Sequence, residues 1–207
     1  MLMEEPDNYH KILDAAKTRF GYYGFNKTTM AEIAKDCNMS AANIYRHFEG
    51  KKEIISVLAE RLFSYHETAL SEIVEQSFPS HSEKLHAFFH KSLEITHEFV
   101  TEQPKMKEMV DFICQERIDI IQSHSSKKDE LIAIILKDGV KSAEFSLQDM
   151  DIAGTALAFK DATVMFHTPL FMELYPVDYL KSSCTAVVKL LLRSITTASR
   201  EEYAANQ

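Results

Sequence analysis

The sequence predicts an all-α chain of about nine helices, a small N-terminal bundle of three followed by a larger helical body. Three observations carry that expectation. Apolar residues recur at three- and four-residue intervals along most of the chain. Glycine and proline number only five each in 207 residues, too few for the turns of an all-β fold. Nothing in the pattern forces a strand. The outer bounds agree: 45% of the residues are hydrophobic, enough for a core, and no apolar run approaches the roughly 18 residues of a membrane span. The start, MLMEEPDNYH, is acidic, unlike a signal peptide. Cys37, Cys114 and Cys184 are odd in number, far apart and without a CxxC. Neither a disulfide framework nor a zinc ribbon is expected, and a reducing cytoplasm is the setting they suit.

Taken in order, residues 1–8 read as a disordered acidic arm. Tyr9 to Tyr23 reads as a helix, with Ile12, Leu13, Ala16 and Phe20 on one stripe. Gly21 to Gly24 ends it, and Phe25 plugs the small core. A second helix runs over about 29–36. Thr29 can cap it, and Glu32 stands three residues on, the spacing of a capping box. Cys37-Asn38-Met39 makes a tight turn, where Asn38 tolerates positive φ. Ser40 caps a third helix to about residue 47, with Ile44 and Phe48 facing in. Glu49-Gly50 is a break. A long fourth helix, about 51–77, carries Ile54, Ile55, Leu58, Leu62, Tyr65, Ala69 and Ile73 on one side.

Phe78-Pro79-Ser80 interrupts the pattern. A fifth helix, about 82–101, carries Leu85, Phe88, Phe89, Ser92, Thr96 and Phe99 on one face. Pro104 suits the first turn of a sixth, which holds Met106, Met109, Val110 and Ile113. A seventh runs over about 115–143, with a polar patch from Ser123 to Lys128 that could interrupt it. Asp149 or Asp151 can open an eighth, about 151–168. Pro169 and Pro176 bracket a connector, and a last helix covers about 177–198. The tail, EEYAANQ, reads as frayed.

Residues 28–51 organise the rest, because two short helices joined by a three-residue turn leave a patterned outer face. Ala41, Ala42, Asn43, Tyr45, Arg46 and His47 point out or sideways: small residues at the front and donors behind, as a helix entering a DNA major groove requires. Ile33-Ala34, Met39-Ser40, Ile44-Tyr45-Arg46-His47-Phe48 and Lys51, with Ala15-Ala16, Phe20, Gly24, Phe25 and Thr28-Thr29 upstream, resemble the DNA-binding domain of TetR-type transcriptional repressors over about residues 9–63. Beyond residue 63 the resemblance rests on length and helical periodicity.

That resemblance gives the outward residues expected roles. Tyr45 and His47 donate to DNA phosphate. Thr28 or Thr29, Ser40 and Lys51 join them; the two helix starts offer free N–H groups to an anion, and a lysine opening a helix runs against the dipole preference unless phosphate is near. Base reading falls to Ala41, Ala42, Asn43 and Arg46, since arginine pairs with guanine and asparagine with adenine. Arg46 could instead hold a phosphate. With two alanines at the front, DNA shape supplies part of the selectivity. The net charge of −8 argues against a nucleic-acid partner, but its distribution does not. Residues 9–52 hold eight Lys or Arg against four Asp or Glu, a net +4, which leaves −12 for the remainder. A basic module on an acidic body finds phosphate while the body is repelled.

One short helix makes few contacts, so a two-fold dimer on a palindromic operator is expected, with recognition helices about 34–36 Å apart. The helices at about 151–168 and 177–198 are the expected interface; Gly154, Ala156, Ala158 and Ala162 permit close approach. The division expected is residues 1–50 for DNA and 51–207 for dimerisation and effector. By resemblance the body encloses a pocket for a small, largely apolar or aromatic effector, and Phe63, His66, Phe88, Phe89, Met109, Phe112, Arg117, Phe159, Thr163 and Phe166 are its candidate residues. Gln115 and His167 are further polar handles. No cofactor is implied. His86, His90, Glu94 and His97 fall within about 80° on one helix, which opens a metal-responsive alternative through His86, His90 and His97. A solvated boundary face is the simpler account, and no metal set is assigned. A helical interaction scaffold is the other alternative. No GxGxxG, P-loop or HExxH motif is present, so no enzyme is expected. The reading is a homodimeric repressor released from operator DNA by its effector.

Overall fold

The computed structural model describes residues 5–102, 105, 107–147 and 150–197. Within them ten α-helices follow in order: α1 (Glu5–Tyr23), α2 (Met30–Asp36), α3 (Ala41–Ile44), α4 (Lys51–Glu75), α5 (His81–Glu102), α6 (Lys107–Glu116), α7 (Ile118–Lys141), α8 (Ile152–Ala162), α9 (Pro169–Leu174) and α10 (Val177–Ile195). A 3-10 turn, Val164–Phe166, follows α8. The chain is all-α; the nearest approach to a sheet among the described residues is one antiparallel bridge between Phe145 and Thr196.

Several boundaries differ from expectation for local reasons. Helix α1 begins at Glu5 rather than Tyr9, because Pro6 falls in a first turn, where a missing N–H loses no bond. The part of the expected arm that remains, residues 1–4, lies outside the described residues, as do Pro104, Met106, Asp149 and the tail 201–207. The polar patch from Ser123 to Lys128 does not interrupt α7. The connector after Pro169 folds as α9, with that proline at its start and Met172 buried. Asp151 caps α8, its carboxylate accepting from the Gly154 N–H at 2.7 Å.

The chain divides into two compact units, residues 1–64 with 99–121, and 65–98 with 122–207. The first gathers α1, α2, α3, the first half of α4 and α6 around Phe20, Phe25, Ile33, Ile44, Phe48 and Ile55. Met109, Phe112 and Ile113 of α6 belong to the same core. Each such side chain contributes about 1.5–3 kcal/mol by leaving water. In the second unit α5 buries Leu85, Phe88, Phe89 and Leu93, α7 buries Leu131 and Ile135, and α10 buries Leu180, Cys184, Val188 and Leu192. Helix α10 packs against α8 and the 3-10 turn.

The end of α7 shows how the second unit is pinned. Ala143 takes a left-handed φ of 60°, an uncommon choice for a residue with a Cβ. The Glu144 and Phe145 N–H groups then both donate to the Gly139 carbonyl at 3.0 Å. The Phe145 ring folds back over Gly139, where an added Cβ would meet it at 2.1 Å. Glu144 is thereby aimed at the start of α5, where its carboxylate accepts from the N–H groups of His81 and Ser82, each at 2.8 Å, and from the Ser82 hydroxyl at 2.6 Å. Gly139→Ala should destabilise the protein by about 1–3 kcal/mol through overpacking. Ala143→Gly should stabilise it by about 1 kcal/mol, because glycine carries no left-handed penalty. Urea unfolding midpoints of the two variants should therefore move in opposite directions.

Candidate functional site: the helix-turn-helix face and a buried polar cluster

Helices α2 and α3 are held by local chemistry at every end. Thr29 closes the capping box: its hydroxyl oxygen accepts from the Glu32 N–H at 3.3 Å, and Glu32 accepts from the Thr29 N–H at 2.8 Å. Asn38 has φ 56°, and the Met39 N–H reaches back to the Ala34 carbonyl at 2.8 Å. Ser40 caps α3, accepting from the Asn43 N–H at 3.2 Å. Past Ile44 the coil tightens, with the Arg46 N–H on the Asn43 carbonyl and the His47 N–H on that of Ile44, both at 3.1 Å. The recognition element is thus one α-helical turn continued to residue 47 by three-residue hydrogen bonds.

Arg19 of α1 fastens α2 at both ends. It donates to Asp36 at 2.6 and 3.1 Å and pairs with Glu32 at 3.2 Å. Its hydrogen bond holds the Asp36 carboxyl below the usual range, so a negative charge is kept at a helix C-terminus that would otherwise disfavour it. Tyr9 stacks on Phe48 with ring centroids 4.8 Å apart.

On the outer face Ala41, Ala42 and Arg46 are exposed, Tyr45 is 55% exposed, and Asn43 and His47 are half-buried. Among the described residues the side chains of Tyr45, Arg46 and His47 are recorded in no hydrogen bond or ion pair. Two expected phosphate contacts turn inward instead. Thr28 is buried, its hydroxyl donating to the Gly24 carbonyl at 2.8 Å. The Lys51 ammonium donates to the carbonyls of Phe25, Asn26 and Thr28 at 2.9, 3.2 and 3.1 Å and lies 4.5 Å from the Phe25 ring centroid. Its three protons are occupied, so it ties the loop before α2 to the start of α4. This also accounts for a lysine at a helix N-terminus.

Helix α6 completes this unit from the other side of the loop. Glu108 accepts from the Asn26 N–H at 2.6 Å and lies where a Cβ on Gly24, at φ 91°, would stand 2.7 Å from its carboxylate. Phe112 packs on Phe25 at 5.5 Å, and Lys52 pairs with Glu116 at 2.6 Å. Met109 and Phe112, expected in an effector pocket, therefore sit in the core of the helix-turn-helix unit. Phe63 packs against that core, and Arg117 is held by Asp119 at 2.8 Å and Glu60 at 3.5 Å. Gln115 is exposed.

The remaining pocket candidates, His66, Phe88, Phe89, Phe159, Thr163 and Phe166, are buried in the second unit. The structure adds residues that the sequence reading did not select. The Ser92 hydroxyl lies 3.2 Å from His66 Nε2, His66 Nδ1 lies 3.2 Å from His124 Nε2, and His124 Nδ1 lies 2.9 Å from Glu67. With Glu67 ionised, His124 donates to it, His66 donates to His124 and Ser92 donates to His66: one carboxylate sets both tautomers. Lys160 donates to Asp129 at 2.7 Å and to Ser125 at 2.8 Å. Lys128 is 4% exposed. The Nε2 of His167 and the Oδ1 of Asp129 are buried with no hydrogen-bond partner among the described residues.

Burial and the Lys128 charge hold both relay histidines neutral, His66 down to about 2 and His124 down to about 3. His167 is pushed well below its ordinary value by burial, with Lys128 the next cause. Burial, then the neighbouring Lys160, lowers Lys128 to about 7. The signal for this cluster was in the sequence. His124 and Lys128 continue the inward stripe of Ile120, Leu131 and Ile135 at three- and four-residue spacing, so the polar patch sends these two side chains into the buried face of α7.

The histidines of α5 are not grouped into a metal-ligand set among the described residues. His90 Nε2 lies 2.9 Å from the Thr185 hydroxyl, the His86 and His90 rings stack at 6.1 Å, and among the described residues no three His, Cys, Asp or Glu side chains are grouped to hold an ion. The metal-responsive alternative loses its ligand set.

The chain matches the family description "Bacterial regulatory proteins, tetR family" over residues 12–58 and "Tetracyclin repressor-like, C-terminal domain" over residues 81–188. It is 25% identical over 197 residues to the uncharacterized HTH-type transcriptional regulator YhgD of Bacillus subtilis, covering 86% of this chain and 98% of that one. Over 55 residues it is 38% identical to IcaR, the HTH-type negative transcriptional regulator of the biofilm operon icaADBC of Staphylococcus epidermidis, which is 27% of this chain and 30% of IcaR. The fold is similar to that of SmeT of Stenotrophomonas maltophilia in its complex with triclosan, with a TM-score of 0.63, 16% identity and 92% of each chain covered. At that identity the likeness is one of fold.

The neutral histidines make stability depend on pH in a definite direction. Unfolded, each binds a proton near its ordinary value; folded, none does until far lower pH. The unfolded state therefore holds more protons across the interval below neutrality, and stability falls with pH. Between neutral pH and pH 5 the unfolding midpoint should drop, with an uptake on unfolding of up to about three protons. Replacing His66 and His124 together by asparagine and glutamine should remove about two of them. Thermal unfolding in matched buffers reads both.

Proposed function

Because this chain belongs to the TetR family of bacterial transcriptional regulators, we propose that it is a homodimeric repressor that binds a palindromic operator and is released by a small, largely apolar effector. The observation that carries the reading is the face of α3 and the turn after it. Ala41, Ala42, Tyr45 and Arg46 are exposed on an element fixed at every end, while the polar side chains of Tyr45 and Arg46 are recorded with no partner in the described protein. Fixed geometry and free donors are the two conditions for reading a groove. In this reading residues 1–50 bind DNA and 51–207 serve effector and dimer. Tyr45, His47, Ser40 and Thr29 hold phosphate, Asn43 and Arg46 meet base edges, and the two alanines admit a close approach. Thr28 and Lys51 act by shaping the loop behind them. In this reading the protein acts on chromosomal DNA and works in the cytoplasm.

Exposed apolar residues support a dimer through α8 and α10. Leu157 and Val164 are 47% and 49% exposed, and on α10 Tyr179 and Leu190 are 50% and 68% exposed. Leu157 lies on α8, Val164 in the 3-10 turn after it, and Tyr179 and Leu190 on α10, three elements that pack together within one unit. Such a concentration of exposed apolar surface marks an association face. Two copies would set the recognition helices about one duplex turn apart.

The effector would act by binding the two dimer states unequally. A 100-fold change in operator affinity needs about 2.7 kcal/mol of coupling. Helices α4, α5 and α7 each contribute residues to both units, and α6 holds the loop at Gly24 and Asn26 through Glu108. These are the elements through which effector binding would reach α3. The repressor SmeT, of similar fold, is known in complex with triclosan, which supports a small apolar ligand for a body of this architecture.

The test is binding of the purified protein to its own upstream DNA at two salt concentrations. Wild type should bind selectively and lose affinity steeply with salt, by about the power of the number of phosphates contacted. Tyr45→Phe should weaken binding about tenfold with an unchanged unfolding midpoint, as loss of one hydrogen bond to a charged oxygen implies. Lys51→Ala should lower both affinity and unfolding midpoint, because it frees three loop carbonyls. Wild type that binds no duplex selectively, upstream or from a genomic library, would overturn the reading. For the dimer, Leu190→Asp should yield a folded monomer by sedimentation and abolish operator binding; a dimer that persists would place the interface elsewhere.

A further inference from the structure

The second unit buries one cation whose partner is missing. Lys160 is committed to Asp129 and Ser125, and Glu67 to His124. The relay from Ser92 through His66 and His124 to Glu67 uses both ring nitrogens of each histidine. Lys128, 4% exposed, is recorded in no hydrogen bond or ion pair with any described residue, and His167 brings a buried, unpartnered Nε2 from the segment after the 3-10 turn. Lys128 stands one turn after His124 on the buried side of α7, and His124 lies 3.2 Å from His66; the Lys128 charge bears on both, and on His167. A buried charge without a counter-ion is unfavourable by several kcal/mol and is ordinarily neutralised or paired. A buried ammonium and a buried imidazole nitrogen, neither with a partner among the described residues, are groups that an anionic ligand would satisfy.

We propose that this cluster is the polar end of the effector site, and that Lys128 and His167 Nε2 receive the carboxylate of a small organic acid. The inference rests on the effector reading above and narrows its ligand to an amphiphile, an apolar body ending in one carboxylate. Phe88 and Phe89 stand one turn before Ser92, Phe159 stands one turn before Thr163, and Phe166 directly precedes His167; all four phenylalanines are buried. Phe89 and Phe159 stack at 6.2 Å, so apolar surface adjoins the polar cluster. One ammonium and one imidazole N–H balance a single negative charge. A phosphate dianion would bring a second with nothing to meet it. The pH dependence follows from the groups around Lys128: His66, His124 and His167 are neutral, Glu67 is committed to His124, and Asp129 holds Lys160 through Oδ2 while its Oδ1 is buried without a partner among the described residues. Lys128 itself, near 7 without a ligand, is then the group whose protonation limits binding.

The test uses the full-length protein and a panel of acids, butyrate, octanoate, phenylacetate and 4-phenylbutyrate, each beside its neutral amide. Unfolding midpoint and operator release are read in the same samples. In wild type at least one acid should stabilise the protein and release DNA at a concentration about tenfold or more below its amide, as a charged hydrogen bond implies. Its affinity should fall about tenfold per pH unit above neutrality. In Lys128→Met, which also removes an uncompensated buried charge, the protein should fold at least as stably as wild type, and acid and amide should act alike. His167→Phe gives a second variant with the same expected loss of preference. Acids and amides acting alike on wild type, or a panel in which no acid binds, would overturn the proposal. If operator binding stands while the acids fail, only the carboxylate inference falls. If operator binding fails while an acid stabilises the protein through Lys128, the repressor reading falls and this one holds.

Discussion

Helices as short as α2 and α3 do not persist by themselves in water, and everything that this protein presents to DNA depends on their being held by other parts of the fold. The restraint is mainly ionic and polar. Arg19 reaches from α1 to both ends of α2, Lys51 gathers the three carbonyls of the loop before it, and Glu108 takes the Asn26 N–H on the far side of that loop. Apolar packing of Ile33, Ile44 and Phe48 then fixes the angle between the helices. Because the groups doing the holding point inward or sideways, the outward residues keep their donors unspent.

What could be read from the sequence was what depends on near neighbours. Thr29 with Glu32, the left-handed Asn38 and the Ser40 cap are all settled within a few residues, and the structure has each where spacing put it. What could not be read was distant partnership. Lys51 was assigned to DNA because its three carbonyl acceptors come from 23 to 26 residues earlier. Met109 and Phe112 were assigned to a ligand chamber because apolar residues on a helix do not say which unit they fill. The patch from Ser123 to Lys128 reads from composition as a possible interruption of its helix, whereas His124 and Lys128 keep the register of the buried stripe.

The second unit accepts a polar interior that a merely stable helical bundle would avoid. Ordered relays such as Ser92–His66–His124–Glu67 are satisfied internally, so they specify one arrangement of α4, α5 and α7 rather than adding much net stability. Lys128, with no such partner in the described protein, is the exception. Stability and responsiveness pull against each other at this residue: methionine would pack better there but would have nothing to discriminate.

Cys184 gives this interior a clock. Burial in the stripe of α10 pushes its thiol up to about 12, so at neutral pH this residue offers almost no thiolate to an oxidant or alkylating reagent. Chemistry at that sulfur must wait for α10 to lift from its neighbours. The rate at which Cys184 is modified is then a rate of local opening, and the side chain acts as a built-in witness to how often the body of the protein breathes.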